Sequence, residues 1–167
     1  MRPGRFLAGC VAVALLVSCS KGFDPSDIDI SVFGAGENWD NPGGDWAGSH
    51  YSRLGDITRE NVAALGLAWD YDLGSNRGQE ATPIVIDGVM YIPTGNDDIF
   101  ALNAKTGQKI WEYYSDIPQT NNTVCCGWDN RGVGVGEGKV FSGMLDASVI
   151  ALDQNTGKVL WRTQLED

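Results

Sequence analysis

The sequence predicts an all-β fold, and three observations support this class. The chain of 167 residues carries 22 glycines and 6 tryptophans, which is typical of short strands joined by many tight turns. Its apolar and polar residues alternate over short segments that glycines separate. One of these patterns repeats, because Ile99–Trp111 aligns without a gap with Val149–Trp161, 50 residues further along the chain. Repeats of this length with several strands each are typical of propeller blades, so we expect a partial β-propeller.

The composition excludes two classes of protein. There are 12 lysines and arginines against 22 aspartates and glutamates, a net charge of −10, which argues against a nucleic-acid binder that neutralises phosphates. Aromatic residues make up 10% of the chain and charged residues 20%. A chain of this composition can bury a core, so intrinsic disorder is also excluded.

An export signal is predicted at residues 1–18. Arg2 and Arg5 precede an apolar run from Phe6 to Val17, which is shorter than the roughly 20 residues that span a bilayer but fits a signal peptide. The run ends in Leu16-Val17-Ser18-Cys19, which resembles the lipobox of bacterial lipoproteins. We therefore expect Cys19 to be lipidated, the alternative being an unmodified cysteine beside an ordinary cleavage site.

The expected location follows from this signal. Ser20 directly after the cysteine resembles lipoproteins sent to the outer membrane, so we expect a periplasmic protein that acyl chains anchor to the bacterial outer membrane. Residues 19–36 are polar and turn-rich and are predicted to form a tether. Residues 37–167 are predicted to form the folded part.

The cysteines Cys125 and Cys126 are adjacent in sequence and would lie in an oxidising compartment. A disulfide between neighbours makes a small strained ring, because their Cα atoms lie about 3.8 Å apart, below the usual 4.4–6.8 Å. The alternatives are two free thiols, or partners outside this sequence. Exposed thiols are a liability outside the cytoplasm, which favours the vicinal disulfide.

Two four-stranded blades are predicted, with Thr106-Gly107 and Thr156-Gly157 as equivalent turns and Asn103 and Asp153 bonding the turn backbone. Trp111 and Trp161 fall at the same place on the following strand and are predicted to dock neighbouring blades. Trp69 has the pattern of the same outer strand in an earlier or closing blade. The predicted strands are Pro83–Ile86, Val89–Pro93, Ile99–Asn103 and Lys109–Tyr113, then Gly132–Gly136, Lys139–Ser142, Val149–Asp153 and Val159–Thr163.

Two blades do not close a ring, since propellers typically have four to eight. We therefore expect the chain to be the N-terminal portion of a longer protein.

Further motifs carry a family resemblance. The Ala-Leu-Asn/Asp-x-x-Thr-Gly-x-x-x-Trp repeat resembles the tryptophan docking motif of quinoprotein dehydrogenases, which bind pyrroloquinoline quinone (PQQ). The adjacent cysteines followed by Asn130-Arg131-Gly132 are more specific and resemble the alcohol dehydrogenase branch, as do the segments Tyr51–Leu54, Asn61–Trp69 and Gly78–Pro83. The resemblance implies an eight-bladed propeller, of which this chain would supply about two blades and a closing-strand segment.

The resemblance also implies cofactor-binding residues. Cys125 and Cys126 would form a vicinal disulfide that packs over one face of the quinone. Arg131 would bind the acidic quinone, and Glu80 would hydrogen-bond its polar edge, where a second acid requires a proton or a bridging cation. The residues alone also fit a surface salt bridge for Arg131 and a turn cap for Glu80.

The resemblance places the catalytic centre elsewhere, since the catalytic base and the ligands of a calcium or lanthanide ion would lie beyond residue 167. Neither a catalytic residue nor a metal ligand is therefore expected within this chain, which alone should be inactive. The complete enzyme would oxidise alcohols to aldehydes or ketones and pass electrons to a cytochrome c, and a haem c domain at the missing C-terminal end stays open. The alternative is a non-catalytic propeller lipoprotein that acts as a scaffold in outer-membrane assembly.

Overall fold

The computed structural model of the protein describes residues 34–118, 120 and 127–165. These residues form two four-stranded antiparallel sheets, each with its strands in chain order, and a short 3-10 helix over Val62–Ala64. The predicted all-β class with four-stranded blades is therefore confirmed. The first sheet contains β1 (Ile84–Ile86), β2 (Val89–Pro93), β3 (Ile99–Asn103) and β4 (Lys109–Tyr113), and the second contains β5 (Gly134–Gly136), β6 (Lys139–Gly143), β7 (Ser148–Asp153) and β8 (Val159–Gln164).

Several predictions fall outside the described residues. They are the export signal at residues 1–18, the lipidated Cys19, most of the tether at 19–36, and the Cys125-Cys126 pair. Within the described part of the chain, no helix is long and apolar enough to cross a bilayer.

The first hairpin of each sheet turns on two residues in the left-handed backbone region. Asp87 and Gly88 have φ of 51° and 77°, and Glu137 and Gly138 have φ of 51° and 71°. Positive φ at both central residues is the signature of the type I′ turn, whose twist matches that of the flanking strands. These turns set the register of β1 on β2 and of β5 on β6.

The β3–β4 and β7–β8 turns depend on side-chain acceptors at Asn103 and Asp153. The Asn103 side-chain oxygen accepts hydrogen bonds from the backbone N–H groups of Lys105 and Thr106, each 3.0 Å long. Asp153 accepts one from the Thr156 N–H at 2.9 Å. The predicted bonding of both turns is confirmed.

Tryptophans lock successive units together at these turns. Trp69 Nε1 donates to the Ala104 carbonyl at 3.1 Å, and Trp111 Nε1 donates to the Gln154 carbonyl at 2.9 Å. Both carbonyls lie in the last turn of the next sheet along the chain. Trp111 is only 7% exposed, whereas Trp161 is 41% exposed, so the docking role is confirmed for Trp111 and stays a prediction for Trp161.

The predicted outer strand around Trp69 does not form. Residues 65–83 contain no strand, because none of the described residues pairs with this segment as a neighbouring strand. Trp69 nevertheless docks on the first sheet as Trp111 docks on the second. The docking prediction was right and the strand prediction was wrong.

One hydrophobic cluster joins the two sheets. It contains Ile84, Tyr91 and Ile99 of the first sheet and Val140 and Ile150 of the second, all 2% exposed or less. Burial of such side chains contributes roughly 1.5–3 kcal/mol each. The cluster therefore packs the two sheets against each other, and it includes Trp128 and Val133 from the segment that precedes β5.

Candidate functional site

Two segments that lead into the first strand of each sheet lie side by side. We call residues 77–83 the first lead-in segment and residues 127–133 the second lead-in segment. The Thr82 N–H donates to the Arg131 carbonyl at 3.3 Å, and a Cβ on Gly78 would lie 3.2 Å from the Trp128 carbonyl oxygen. Residues about 50 positions apart in sequence therefore meet at the same end of two neighbouring sheets.

Glu80 and Arg131 meet across these segments. Arg131 Nη2 lies 3.2 Å from Glu80 Oε2, and Arg131 Nε donates to Asp129 Oδ2 at 2.8 Å. The Arg131 and Glu80 side chains are 79% and 59% exposed. A pair this exposed contributes only about 0–1 kcal/mol to stability, so the fold does not depend on it.

Trp128 and Arg77 contact each other across the two lead-in segments. Trp128 is buried, and the Arg77 guanidinium carbon lies 4.9 Å from the centre of its ring. The β2–β3 turn packs closely here, because a Cβ on Gly95 would lie 2.5 Å from the Gly78 carbonyl oxygen and 2.8 Å from that of Trp128. Only glycine fits at position 95 without a shift of the backbone.

A buried polar network lies behind Arg131. The Asn130 side-chain nitrogen donates to Asp97 Oδ1 at 2.6 Å and to the Gly143 carbonyl at 3.1 Å. Asp97 is fully buried and its other oxygen accepts the Leu145 N–H at 2.6 Å. Burial raises the pKa of Asp97, and the hydrogen bonds from Asn130 and Leu145 oppose this rise.

Comparison with known proteins identifies the family. Residues 39–160 match the PQQ family described as the β-propeller domain of glucose, ethanol and alcohol dehydrogenases. The chain belongs to this family.

Several relatives of this PQQ propeller chain are named alcohol dehydrogenases. It is 48% identical over 135 residues to the 1-butanol dehydrogenase (cytochrome c) of Thauera butanivorans, covering 80% of this chain and 20% of the relative. The crystal structure of the quinohemoprotein alcohol dehydrogenase of Comamonas testosteroni is 44% identical with a TM-score of 0.70, covering 76% of this chain and 19% of that one. A europium-containing methanol dehydrogenase is 35% identical with a TM-score of 0.69, covering 78% of this chain and 23% of that one. The chain thus spans about a fifth of the length of these relatives.

The geometry fits an acidic PQQ group at Arg131 and Glu80. A carboxylate at Glu80 needs a proton or a cation beside it where it meets an acidic cofactor, and the Arg131 guanidinium lies 3.2 Å from Glu80. A guanidinium can hydrogen-bond carboxylates and ring oxygens with a fixed fork of donors. The exposure of the side chain leaves it accessible to a ligand.

The structure therefore brings together two of the four sequence-predicted cofactor residues. The other two, Cys125 and Cys126, lie outside the described residues, and Cys126 directly precedes Gly127, where the second lead-in segment begins. Within residues 34–118, 120 and 127–165, no group of three or more histidine, cysteine, aspartate or glutamate side chains is placed to hold a metal ion.

Sequence reasoning missed Asp97 and assigned no role to Asn130 or Trp128. Asp97 falls in the β2–β3 loop, where polar residues are usual and give no indication of burial. The comparison of the two repeats does single out Asp97. Ala147 occupies the equivalent place in the second repeat, so the loop itself does not require a carboxylate.

Proposed function

We propose that the protein containing this chain is a PQQ-dependent alcohol dehydrogenase, and that Glu80 and Arg131 bind its quinone. The observation that carries the proposal is the solvent-accessible Arg131 guanidinium between Glu80 and Asp129, where the two lead-in segments meet. When bound, the quinone supplies a two-electron acceptor for alcohol oxidation. Identity of 44–48% to quinohemoprotein and cytochrome c-linked alcohol dehydrogenases supports this substrate class.

The residues of this chain would bind and orient the quinone rather than react with it. Arg131 would hold the acidic edge of the quinone with charged hydrogen bonds, and its contact with Asp129 would fix the direction of the guanidinium. Glu80 would set the orientation of the polar edge. Cys125 and Cys126 would cover one face of the ring as a vicinal disulfide.

The proposal extends to partners and location. Two relatives are a 1-butanol dehydrogenase (cytochrome c) and a europium-containing methanol dehydrogenase, so we propose a cytochrome c as electron acceptor and a calcium or lanthanide ion as a second cofactor. We also propose export, with Cys19 as the lipidated residue and the periplasmic face of the outer membrane as the location.

The binding proposal is tested with the protein expressed from its complete reading frame. Quinone affinity is measured by quenching of tryptophan fluorescence in wild type, Arg131→Gln, Glu80→Gln and Lys109→Gln. The Lys109–Glu112 pair is a matched control, because it is another solvent-accessible ion pair but lies on β4. We expect Arg131→Gln to weaken binding about tenfold or more, since a hydrogen bond to a charged group contributes about 1.5–3 kcal/mol.

Two further readouts separate the enzyme from the scaffold. Alcohol-dependent dye reduction with added quinone and calcium or lanthanide measures activity, and mass analysis of the unreduced Cys125-Cys126 peptide detects the two-hydrogen deficit of a disulfide. Dye reduction, the deficit and weakened binding in Arg131→Gln together support the proposal. Free thiols and no quinone binding in a folded wild-type protein would refute it and favour the scaffold alternative.

A further inference from the structure

The Arg131 side chain is 79% exposed, and its guanidinium contacts Asp129 and Glu80. To reach both carboxylates, the side chain needs its backbone fixed on either side of position 131. Asn130 supplies both constraints, because its side-chain oxygen accepts the Gly132 N–H at 3.0 Å while its nitrogen donates to Asp97 at 2.6 Å. The Asn130 side chain therefore fixes the backbone on both sides of Arg131, at Asn130 itself and at Gly132.

The Asn130 side chain is in turn held from both sheets. Asp97 belongs to the β2–β3 loop, and the Ser142 hydroxyl and Gly143 carbonyl, 3.2 Å and 3.1 Å from the Asn130 nitrogen, belong to β6. Asp97 also accepts the Leu145 N–H from the β6–β7 loop. A single buried carboxylate thus connects the first sheet to the second directly behind the lead-in segment that carries Arg131.

The internal repeat shows that the β2–β3 loop does not need this carboxylate. Asp97 has φ of 65°, and its counterpart Ala147 in the β6–β7 loop has φ of 62°. The same backbone conformation therefore forms with a methyl side chain. Since burying a carboxylate is costly, its presence at position 97 calls for a separate reason, and the bonds to Asn130 and Leu145 provide one.

We propose that Asp97 and Asn130 are positioning residues for the quinone site, which hold the backbone at Arg131 so that its guanidinium faces Glu80. This inference rests on the proposed function of Arg131. Neither residue would touch the quinone. Loss of Asp97 would therefore weaken quinone binding only through Arg131.

The first test needs no cofactor and uses the protein from its complete reading frame. Hydrogen–deuterium exchange of the peptide over residues 127–136 is compared in wild type, Asp97→Ala and Asp98→Ala. Asp98 is the matched control, because it lies in the same loop but accepts the Ser115 N–H instead of bonding Asn130. We expect exchange about tenfold faster in Asp97→Ala and unchanged in Asp98→Ala.

The second test is a double-mutant cycle on quinone affinity. Asp97→Ala should raise the quinone Kd about tenfold in the wild-type background and leave it unchanged in Arg131→Gln, because the affected group is then absent. An equal rise in both backgrounds, or faster exchange with an unchanged Kd, would overturn the inference. If Asp97→Ala does not fold, Asn130→Ser interrupts the same connection and leaves Asp97 bonded to Leu145.

The two tests also separate this inference from the proposed function. A wild-type protein that shows no quinone binding refutes the proposed function and with it the positioning role, even where exchange shows that Asp97 holds the backbone. Quinone binding that depends on Arg131 but not on Asp97 refutes the positioning role alone.

Discussion

Replacing Gly157 with alanine tests the docking of neighbouring blades at atomic detail. Gly157 has φ of 68°, and a Cβ there would lie 2.5 Å from Trp111 Cε3 and 2.8 Å from Trp111 Cδ2. The ring cannot retreat easily, because Trp111 is 7% exposed and its Nε1 is bonded to the Gln154 carbonyl at 2.9 Å. The added methyl group must therefore displace a packed indole.

The size of the effect is the sum of two costs. A left-handed conformation costs an alanine roughly 1–2 kcal/mol relative to glycine, and overpacking a filled site typically costs about 1–3 kcal/mol more. Gly138 isolates the first cost, because its φ is 71° and no atom lies within 4 Å of an added Cβ. We expect Gly157→Ala to be less stable than Gly138→Ala by about 1–3 kcal/mol.

The assay is the urea midpoint of unfolding of the protein from its complete reading frame, followed by fluorescence. The order should be wild type, then Gly138→Ala, then Gly157→Ala. Trp111→Ala alone should cost about 3–5 kcal/mol, and in that background Gly157→Ala should cost no more than Gly138→Ala, because the clash has gone. Equal midpoints for the two glycine variants, or the same penalty with and without the indole, would refute the docking argument.

Two further predictions concern contacts between successive units. Trp69→Phe keeps an aromatic side chain but removes part of the indole ring together with its Nε1 bond to the Ala104 carbonyl, so unfolding should require at least about 1 kcal/mol less free energy, measured by the same urea midpoint. Arg162→Met removes the contacts of Arg162 with Asp116, at 2.6 Å, and with Asp146, and should cost about 1 kcal/mol at pH 7 and less in high salt. Arg162 lowers the pKa of Asp116, and although burial raises the pKa of Asp146, the hydrogen bonds that Asp146 accepts leave it lowered. This stabilisation is present above pH 3.8, the ordinary aspartate pKa, and is lost as the pH falls through the lowered pKa values of the folded protein. Thermal unfolding should therefore show the difference between wild type and Arg162→Met narrowing as the pH is lowered below 3.8. A difference that does not narrow in acid would contradict the assignment.

The strands were predictable where local chemistry alone determines them. Val89–Pro93, Ile99–Asn103 and Lys109–Tyr113 begin and end as predicted, because type I′ turns and side-chain-bonded turns limit them on either side. The strand predicted over Gly132–Gly136 begins two residues later, at Gly134. Residues 132 and 133 belong instead to the second lead-in segment, where a Cβ on Gly132 would lie 3.4 Å from the Thr82 carbonyl oxygen of the first lead-in segment.

The candidate site was predictable only in part. Glu80 and Arg131 were found through motifs, and the structure places them 3.2 Å apart, which no local pattern indicates. Asp97 was missed because its burial arises only when the second lead-in segment and the β6–β7 loop cover the hairpin loop. Propensity and spacing within one segment carry no information about such tertiary contacts.

Comparison of equivalent positions in the two repeats shows which side chains the blade fold requires and which can vary. At one end of the sheets, both copies keep the Thr-Gly turn, and both keep a tryptophan on the following strand, since each sheet must dock on the next. At the end where the lead-in segments meet, the copies differ, because Glu80 corresponds to Asn130 and Arg131 corresponds to Ala81. Two sheets with the same topology form with either set of side chains, so the charges at this end are not demanded by the architecture. Asn103 and Asp153 also differ in charge, but both accept the hydrogen bonds of the same turn. The Glu80–Arg131 pair, in contrast, joins the two lead-in segments, and its charges fit the ligand-binding role proposed for it.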